Sequence, residues 1–348
     1  MERLQHIATS REARLIVRWG LRLVGPAVLV VLLVRVVDYG EFGDLLSDIR
    51  LPWLFGALAA VQLILFLRTM RWIEIHAAFG LPKASFAYQM RLSYATMLAT
   101  LVLPQIVNPL SRLVLMAQDG YRAGRTLAGS VLEKLLEMGA FIVFGVYGSI
   151  VLASTFGGLA WWAIGGAVAL GVAAFVAYLM RSRLTDLAIA LIDRMPGLGG
   201  GQGDRDEIAH DIVSLDRFVL VRLSVWSLII ALTQAAMLYF LSRSLGVGLS
   251  FPYIVATWGV VALSLLLPLS VNGLGTREAV LVAAFRAAGE STDAAVAVGL
   301  LAFGVVAVGS LPGAFEWLRR FLRGSGQQAS GLAPVAPPGA QAQGERSP

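Results

Sequence analysis

Apolar runs of about 18–25 residues recur along nearly the whole chain, each long enough to cross about 30 Å of hydrocarbon as a helix. In lipid every backbone N–H and C=O must find a partner within the protein, so only helices and closed barrels span a bilayer. The runs are too long for barrel strands and lack the alternation of residues that such strands require. They predict an all-α polytopic integral membrane protein with about seven to eight transmembrane helices. Composition agrees: 57% of the residues are hydrophobic, 14% are charged and the mean hydropathy is +0.74. A soluble domain carries about 25% charged residues.

Several kinds of chemistry are excluded at this stage. The chain has no cysteine, so disulfides, thiolate nucleophiles and Cys-based metal sites are ruled out. His6, His76 and His210 are scattered, without a second ligand at metal-site spacing, and neither a metal nor another cofactor is expected. The net charge is +6, but the basic residues flank apolar runs, where they set orientation and meet anionic lipid. Nucleic acid is therefore not an expected partner.

The first 20 residues read as a basic interfacial segment, with Arg11, Arg14 and Arg18 on one helical face. A transmembrane domain follows over residues 21–320, opening with a retained anchor at about 21–37. The next span covers about 51–67 and ends at Arg68 and Arg71, read as its inner flank. Further apolar segments lie at about 92–107, 127–153, 160–180, 219–241, 252–270 and 294–317. The loop 181–217 is Arg-rich and Gly-rich, and is expected to be cytoplasmic; its glycines precede no Gly-Lys-Ser/Thr and form no P-loop. Residues 324–348 are rich in Gly, Pro, Ala and Gln and are expected to be disordered. Charge places both termini in the cytoplasm and the protein in the plasma (inner) membrane.

One motif occurs twice. "LPQIVNPLSR" (Leu103 to Arg112) and "LPLSVNGLGTR" (Leu267 to Arg277) share Leu-Pro-x-x-Val-Asn-x-Leu followed by Arg, each between two apolar runs. Pro104 and Pro268 interrupt helical hydrogen bonding, the Gly273/Gly275 turn frees the backbone, and Asn108 or Asn272 can satisfy the released groups. Matched breaks in two halves are a transporter signature pointing to a central site. Both segments are thus expected to be broken or re-entrant helices meeting near one cavity. Arg112 and Arg277 are candidate ligands for a lipid phosphate, with free N–H groups of the resumed helix beside Arg277. Glu278 would bind a cationic group or limit anion affinity; the plainer alternative is a capping arrangement in which Arg277 pairs with Glu278 or another carboxylate and nothing else is bound.

Glu133 and Glu137 lie one turn apart on one face of another span, with Lys134 within reach of Glu137. Facing lipid would cost on the order of 3 kcal/mol per charge. The trio is expected to line the bundle interior, or else to anchor at the inner interface. Thr233 and Gln234 are read as helix–helix hydrogen-bonding groups.

At these residues the chain resembles the transmembrane, flippase-type region of lysylphosphatidylglycerol synthases, over roughly residues 15–320. The family's second block is similar to Pro268, Gly273, Gly275, Arg277 and Glu278 with the apolar helix after them. In the first block Asn108 and Pro109 stand where the family often has Gly-Glu, while Arg112 remains; Glu133-Lys134 replaces a Glu-Arg pair. The resemblance implies the lipid-handling part without an aminoacyl-transfer domain.

The function expected is that of a membrane lipid transporter, moving a phospholipid or isoprenoid lipid between leaflets. Its substrate-binding residues would be Arg112, Arg277, Glu278, Asn108, Asn272, Glu133, Lys134 and Glu137. Membrane lipids with an anionic headgroup or lipid phosphate are the expected partners; a homo-oligomer or a lipid-pathway protein is left open. The chain shows no nucleophile elbow, zincin motif or Asp-x-Asp cluster, so no catalytic residue is assigned and an enzyme is not expected. The alternatives are an intramembrane enzyme on a lipid-linked substrate, with Glu133 and Glu137 as acid and base, or a non-catalytic partner in a lipid pathway.

Overall fold

The computed structural model describes residues 48–101, 108–121, 123–156, 215–265 and 276–330. Within them the secondary structure is helical throughout: α1 (Leu51–Ala78), α2 (Phe86–Thr100), α3 (Asn108–Gln118), α4 (Ala123–Phe156), α5 (Arg217–Ser244), α6 (Phe251–Ser264), α7 (Thr276–Ala287), α8 (Thr292–Ser310) and α9 (Pro312–Ser330). α1, α5 and α8, together with Gly124–Leu152 of α4, are long and apolar enough to cross a membrane. The chain is an all-α, multi-pass membrane protein. The basic N-terminal segment, the first anchor, the loop 181–217 up to residue 214, and Pro104, Pro268, Asn272, Gly273 and Gly275 lie outside the described residues.

Local chemistry sets the helix ends. The Ser85, Asp216 and Ser291 side chains accept from the backbone N–H groups of Tyr88, Phe218 and Ala294, satisfying donors that a helix start leaves free. Pro52 and Pro252 occupy first-turn positions, where no intrahelical N–H is needed. At the other end of α3, Gly120 has φ 81°, and Tyr121 N donates to Met116 O while Gly120 N donates to Ala117 O. This left-handed cap turns the chain sharply from α3 into α4.

The helices fall into two series of the same order. A 28-residue span, a helix of 15 residues, one of 11 and a long span (α1–α4) are followed by a 28-residue span, helices of 14 and 12 residues and a span of 19 (α5–α8). The Leu-Pro-x-x-Val-Asn segments fall between the two short helices of each series. α1 packs along α5, and α4 packs along α6. A Cβ on Gly259 would overlap the Phe144 carbonyl and one on Gly148 the Ala256 carbonyl, so α4 and α6 meet backbone to backbone.

Apolar side chains face outward in stripes at helical spacing: Val143, Val146, Tyr147 and Ile150 on α4, and Val221, Val225, Ile229 and Leu232 on α5. Arg68, Arg71, Glu133 and Glu137 point inward. The span predicted to end at residue 67 instead runs to Ala78, and Arg71 is 1% exposed. Arg68 and Arg71 do not flank this helix at a surface; carboxylates on α4 neutralise them inside the bundle.

α9 docks by polar contacts. Trp317 donates its ring N–H to Ala95 O at 3.0 Å, and Arg320 donates to Asp119, Glu316 and the Leu115 carbonyl. Burial disfavours the Arg320 cation, but hydrogen bonds and charge from Asp119, helped by Glu316, more than offset it and raise its pKa. The helix continues to Ser330, past the Arg323 boundary expected from composition, because no proline occurs between Pro312 and Pro334.

Candidate functional site

Two adjoining cavities occupy the bundle interior. The smaller, about 40 Å³, is lined by charged and hydroxyl side chains of α1, α2, α3 and α4. α1 contributes the charges through Arg68 and Arg71, three residues apart on one face. Arg68 Nη2 donates to Glu137 Oε1 at 2.9 Å, and Arg71 Nη2 to Glu133 Oε1 at 2.6 Å. Lys134 Nζ donates to the other Glu137 oxygen at 2.9 Å, so Glu137 bridges two cations. Arg71 also donates to Ser227 Oγ of α5 at 2.9 Å, tying the cluster to the second series of helices.

Arg112 enters from α3 and is 5% exposed. Its guanidinium carbon sits 4.4 Å from the centroid of the Trp72 ring, a cation–π contact, and its Nη2 donates a long bond of 3.4 Å to Ser93 Oγ. Its Nη1 is buried without a hydrogen-bond partner, and among the described residues no carboxylate pairs with it. Among the described residues, four cations, Arg68, Arg71, Arg112 and Lys134, gather with two carboxylates, Glu133 and Glu137, in and around the polar cavity. Counted over these side chains the surroundings are net positive, which favours an anion at low dielectric.

The larger cavity, about 130 Å³, shares Arg68, Lys134 and Glu137 with the first and opens onto apolar walls from α5, α6 and α8. Arg277 of α7 also lines it. Its Nε and Nη2 both donate to Glu278 Oε1, at 3.0 and 2.6 Å, and Nη2 reaches the Gly299 carbonyl at 3.4 Å. Arg277 is thus in the paired arrangement that the sequence held as the plainer alternative. Gln234, midway along α5, borders the same space, with its Oε1 buried and unpartnered.

The structure brings Glu133, Lys134, Glu137 and Arg112 together in one cavity and sets Arg277 with Glu278 in the neighbouring one. Asn108 begins α3, but its side chain is not among those described; Asn272 lies outside the described residues. Sequence reasoning missed Arg68, Arg71, Ser93 and Ser130 as site residues. The signal for the arginines was available: two cations at i and i+3 match two carboxylates at i and i+4 elsewhere in the chain, both facing a bundle interior. No cluster of His, Cys, Asp and Glu able to hold a metal occurs among the described residues.

A family model described as the lysylphosphatidylglycerol synthase TM region matches residues 17–313. Neither the curated proteins nor the solved structures gave a match.

Proposed function

The chain belongs to the lysylphosphatidylglycerol synthase transmembrane-region family, and from that footing we propose that it carries a membrane lipid between leaflets. The observation behind this reading is the adjacency of the two cavities. A small, positively charged chamber adjoins a larger chamber with apolar walls, inside a bundle whose outer face is apolar. A polar headgroup crossing hydrocarbon needs a substitute for its hydration shell, and its chains need an apolar surface; the two chambers supply one each. The protein acts as a transporter rather than an enzyme. The lipid is a phospholipid or an isoprenoid lipid, and the movement is downhill or ion-coupled. The transporter resides in the inner membrane with both termini in the cytoplasm.

Reconstitution tests this. Proteoliposomes carrying fluorescent lipids are exposed to a membrane-impermeant quencher, and the fraction of lipid still protected is followed with time. Protection should decay faster than in protein-free vesicles. Equal decay across a panel of phospholipid and isoprenoid lipids would overturn the reading, and released headgroups would favour lipid-modifying chemistry instead.

A further inference from the structure

Corresponding helices of the two series bring different side chains to the interior. With Leu51 of α1 set on Arg217 of α5, Arg68 falls on Gln234 and Arg71 on Met237. With Leu103 set on Leu267, as the shared motif requires, Ser93 falls on Thr257 and Thr96 on Val260, while Arg112 and Arg277 end the two motifs one residue out of register. With Ala123 of α4 set on Thr292 of α8, Glu133, Lys134 and Glu137 fall on Ala302, Phe303 and Val306. Gln234, Met237, Arg277, Ala302, Phe303 and Val306 line the larger cavity, together with Arg68, Lys134 and Glu137, which it shares with the first. Ser130, the remaining residue of the polar chamber, falls on Gly299, whose carbonyl accepts from Arg277.

The two series thus contribute different chemistry to the interior. Where the first places Arg68, Glu133, Lys134 and Glu137, the second places an amide, Gln234, and the apolar Ala302, Phe303 and Val306. The retained pair differs too. Arg277 is paired with Glu278, whereas Arg112 keeps a buried Nη1 without a partner. Glu133 and Glu137 are both engaged by cations. The intervening segments 102–107 and 266–275 contain no ionisable residue that would change this balance.

We propose that the adjoining chambers hold one amphiphile with an uncompensated negative charge: its phosphate rests against Arg112 in the first chamber and its hydrocarbon chain against Phe303 and Val306 in the second. The proposal rests on the lipid-carrier reading and narrows it to a charge class. A cationic headgroup meets carboxylates already paired and an excess of positive charge, so it is rejected. The polar chamber, at about 40 Å³, is a few times the 10–15 Å³, roughly, that admits one water, and it suits a phosphate group.

Binding to the purified full-length chain in detergent separates the two chambers. Four probes are used: dioleoyl phosphatidic acid, dioleoylglycerol, inorganic phosphate and a cationic ethylated phosphatidylcholine. Phosphatidic acid should bind most tightly and dioleoylglycerol more weakly. Inorganic phosphate should bind weakly, and the cationic lipid should not bind beyond partition. Arg112→Gln should weaken phosphatidic acid by about tenfold or more, as loss of a charge-assisted bond implies, and leave dioleoylglycerol unchanged. Val306→Thr, nearly equal in volume, should weaken both lipids by the same factor. Arg112→Lys should retain part of the phosphatidic acid affinity, and melting without lipid checks that each variant folds. Inorganic phosphate binding as tightly as phosphatidic acid would reduce the chamber to a free-anion site. Equal effects of Arg112→Gln on both lipids, or preferred binding of the cationic lipid, would overturn the division of the amphiphile. Those outcomes leave the carrier reading to the vesicle assay, which fails or succeeds independently.

Discussion

Arg71 on α1 and Glu133 on α4 form an ion pair of 2.6 Å inside the bundle, with the arginine only 1% exposed. Buried pairs stabilise little over apolar replacements, but breaking one leaves a charge without compensation. Glu133→Leu should therefore destabilise the protein by about 3–5 kcal/mol. The double variant Arg71→Met with Glu133→Leu should recover most of that loss. Chemical unfolding of the four members of the cycle checks both expectations.

The α4–α6 crossing depends on residues without side chains. Gly259→Ala drives a methyl group into the Phe144 carbonyl, a backbone atom with no rotamer to yield. A loss of about 1–3 kcal/mol or more is expected, seen as a lower melting temperature and less monodisperse protein. Gly304→Ala serves as the contrast. Nothing lies within 4 Å of a Cβ placed there, so its stability should match or exceed the parent's.

α9 is fastened to the end of α3 by Arg320, which reaches Asp119 and the Leu115 carbonyl; within α9, Glu316, 3% exposed, accepts from Arg319 and Arg320 and holds the latter in place. Arg320→Ala removes several charge-assisted bonds, each worth about 1.5–3 kcal/mol. Amide exchange in Met116–Tyr121 should accelerate by about tenfold or more, while exchange in α5 stays unchanged. Uniform acceleration across both helices would show general destabilisation rather than a local fastening.

Arg277→Lys keeps the charge but loses the planar fork that reaches Glu278 through two nitrogens and the Gly299 carbonyl through one. Lipid movement in vesicles should slow by about three- to tenfold, since one kcal/mol or so of orientation is lost. Thermal stability should stay near that of the parent. Unchanged transport by Arg277→Ala would show that the pair only caps α7.

Much of this architecture was legible in the sequence because bilayer physics leaves few options. Run length anticipated the four long spans α1, α4, α5 and α8, whereas the runs at about 92–107 and 252–270 fold as helices of 15 and 14 residues, and the doubled Leu-Pro-x-x-Val-Asn motif pointed to the two series that α1–α4 and α5–α8 form. The inward position of Glu133, Lys134 and Glu137 followed from the cost of placing charge against lipid. Arg68 and Arg71 were misread for a physical reason. Cations after an apolar run resemble an interfacial flank, and only the fold places Glu137 and Glu133 opposite them. The chemical contrast between the chambers was equally hidden, since neither Phe303 nor Val306 looks like a site residue until the cavity they line is seen.

The two series are not equally tall. At about 1.5 Å per residue, the 34 residues of α4 extend about 51 Å, whereas its counterpart α8, with 19, extends about 28 Å. A bilayer core of about 30 Å leaves α4 tilted or projecting and α8 just short. The membrane beside α8 must therefore thin, or α8 must stand nearly along the normal, while α4 leans. Acyl-chain length thus becomes a mechanical variable for this protein: a thicker bilayer strains the short side first, where the apolar chamber borders α8.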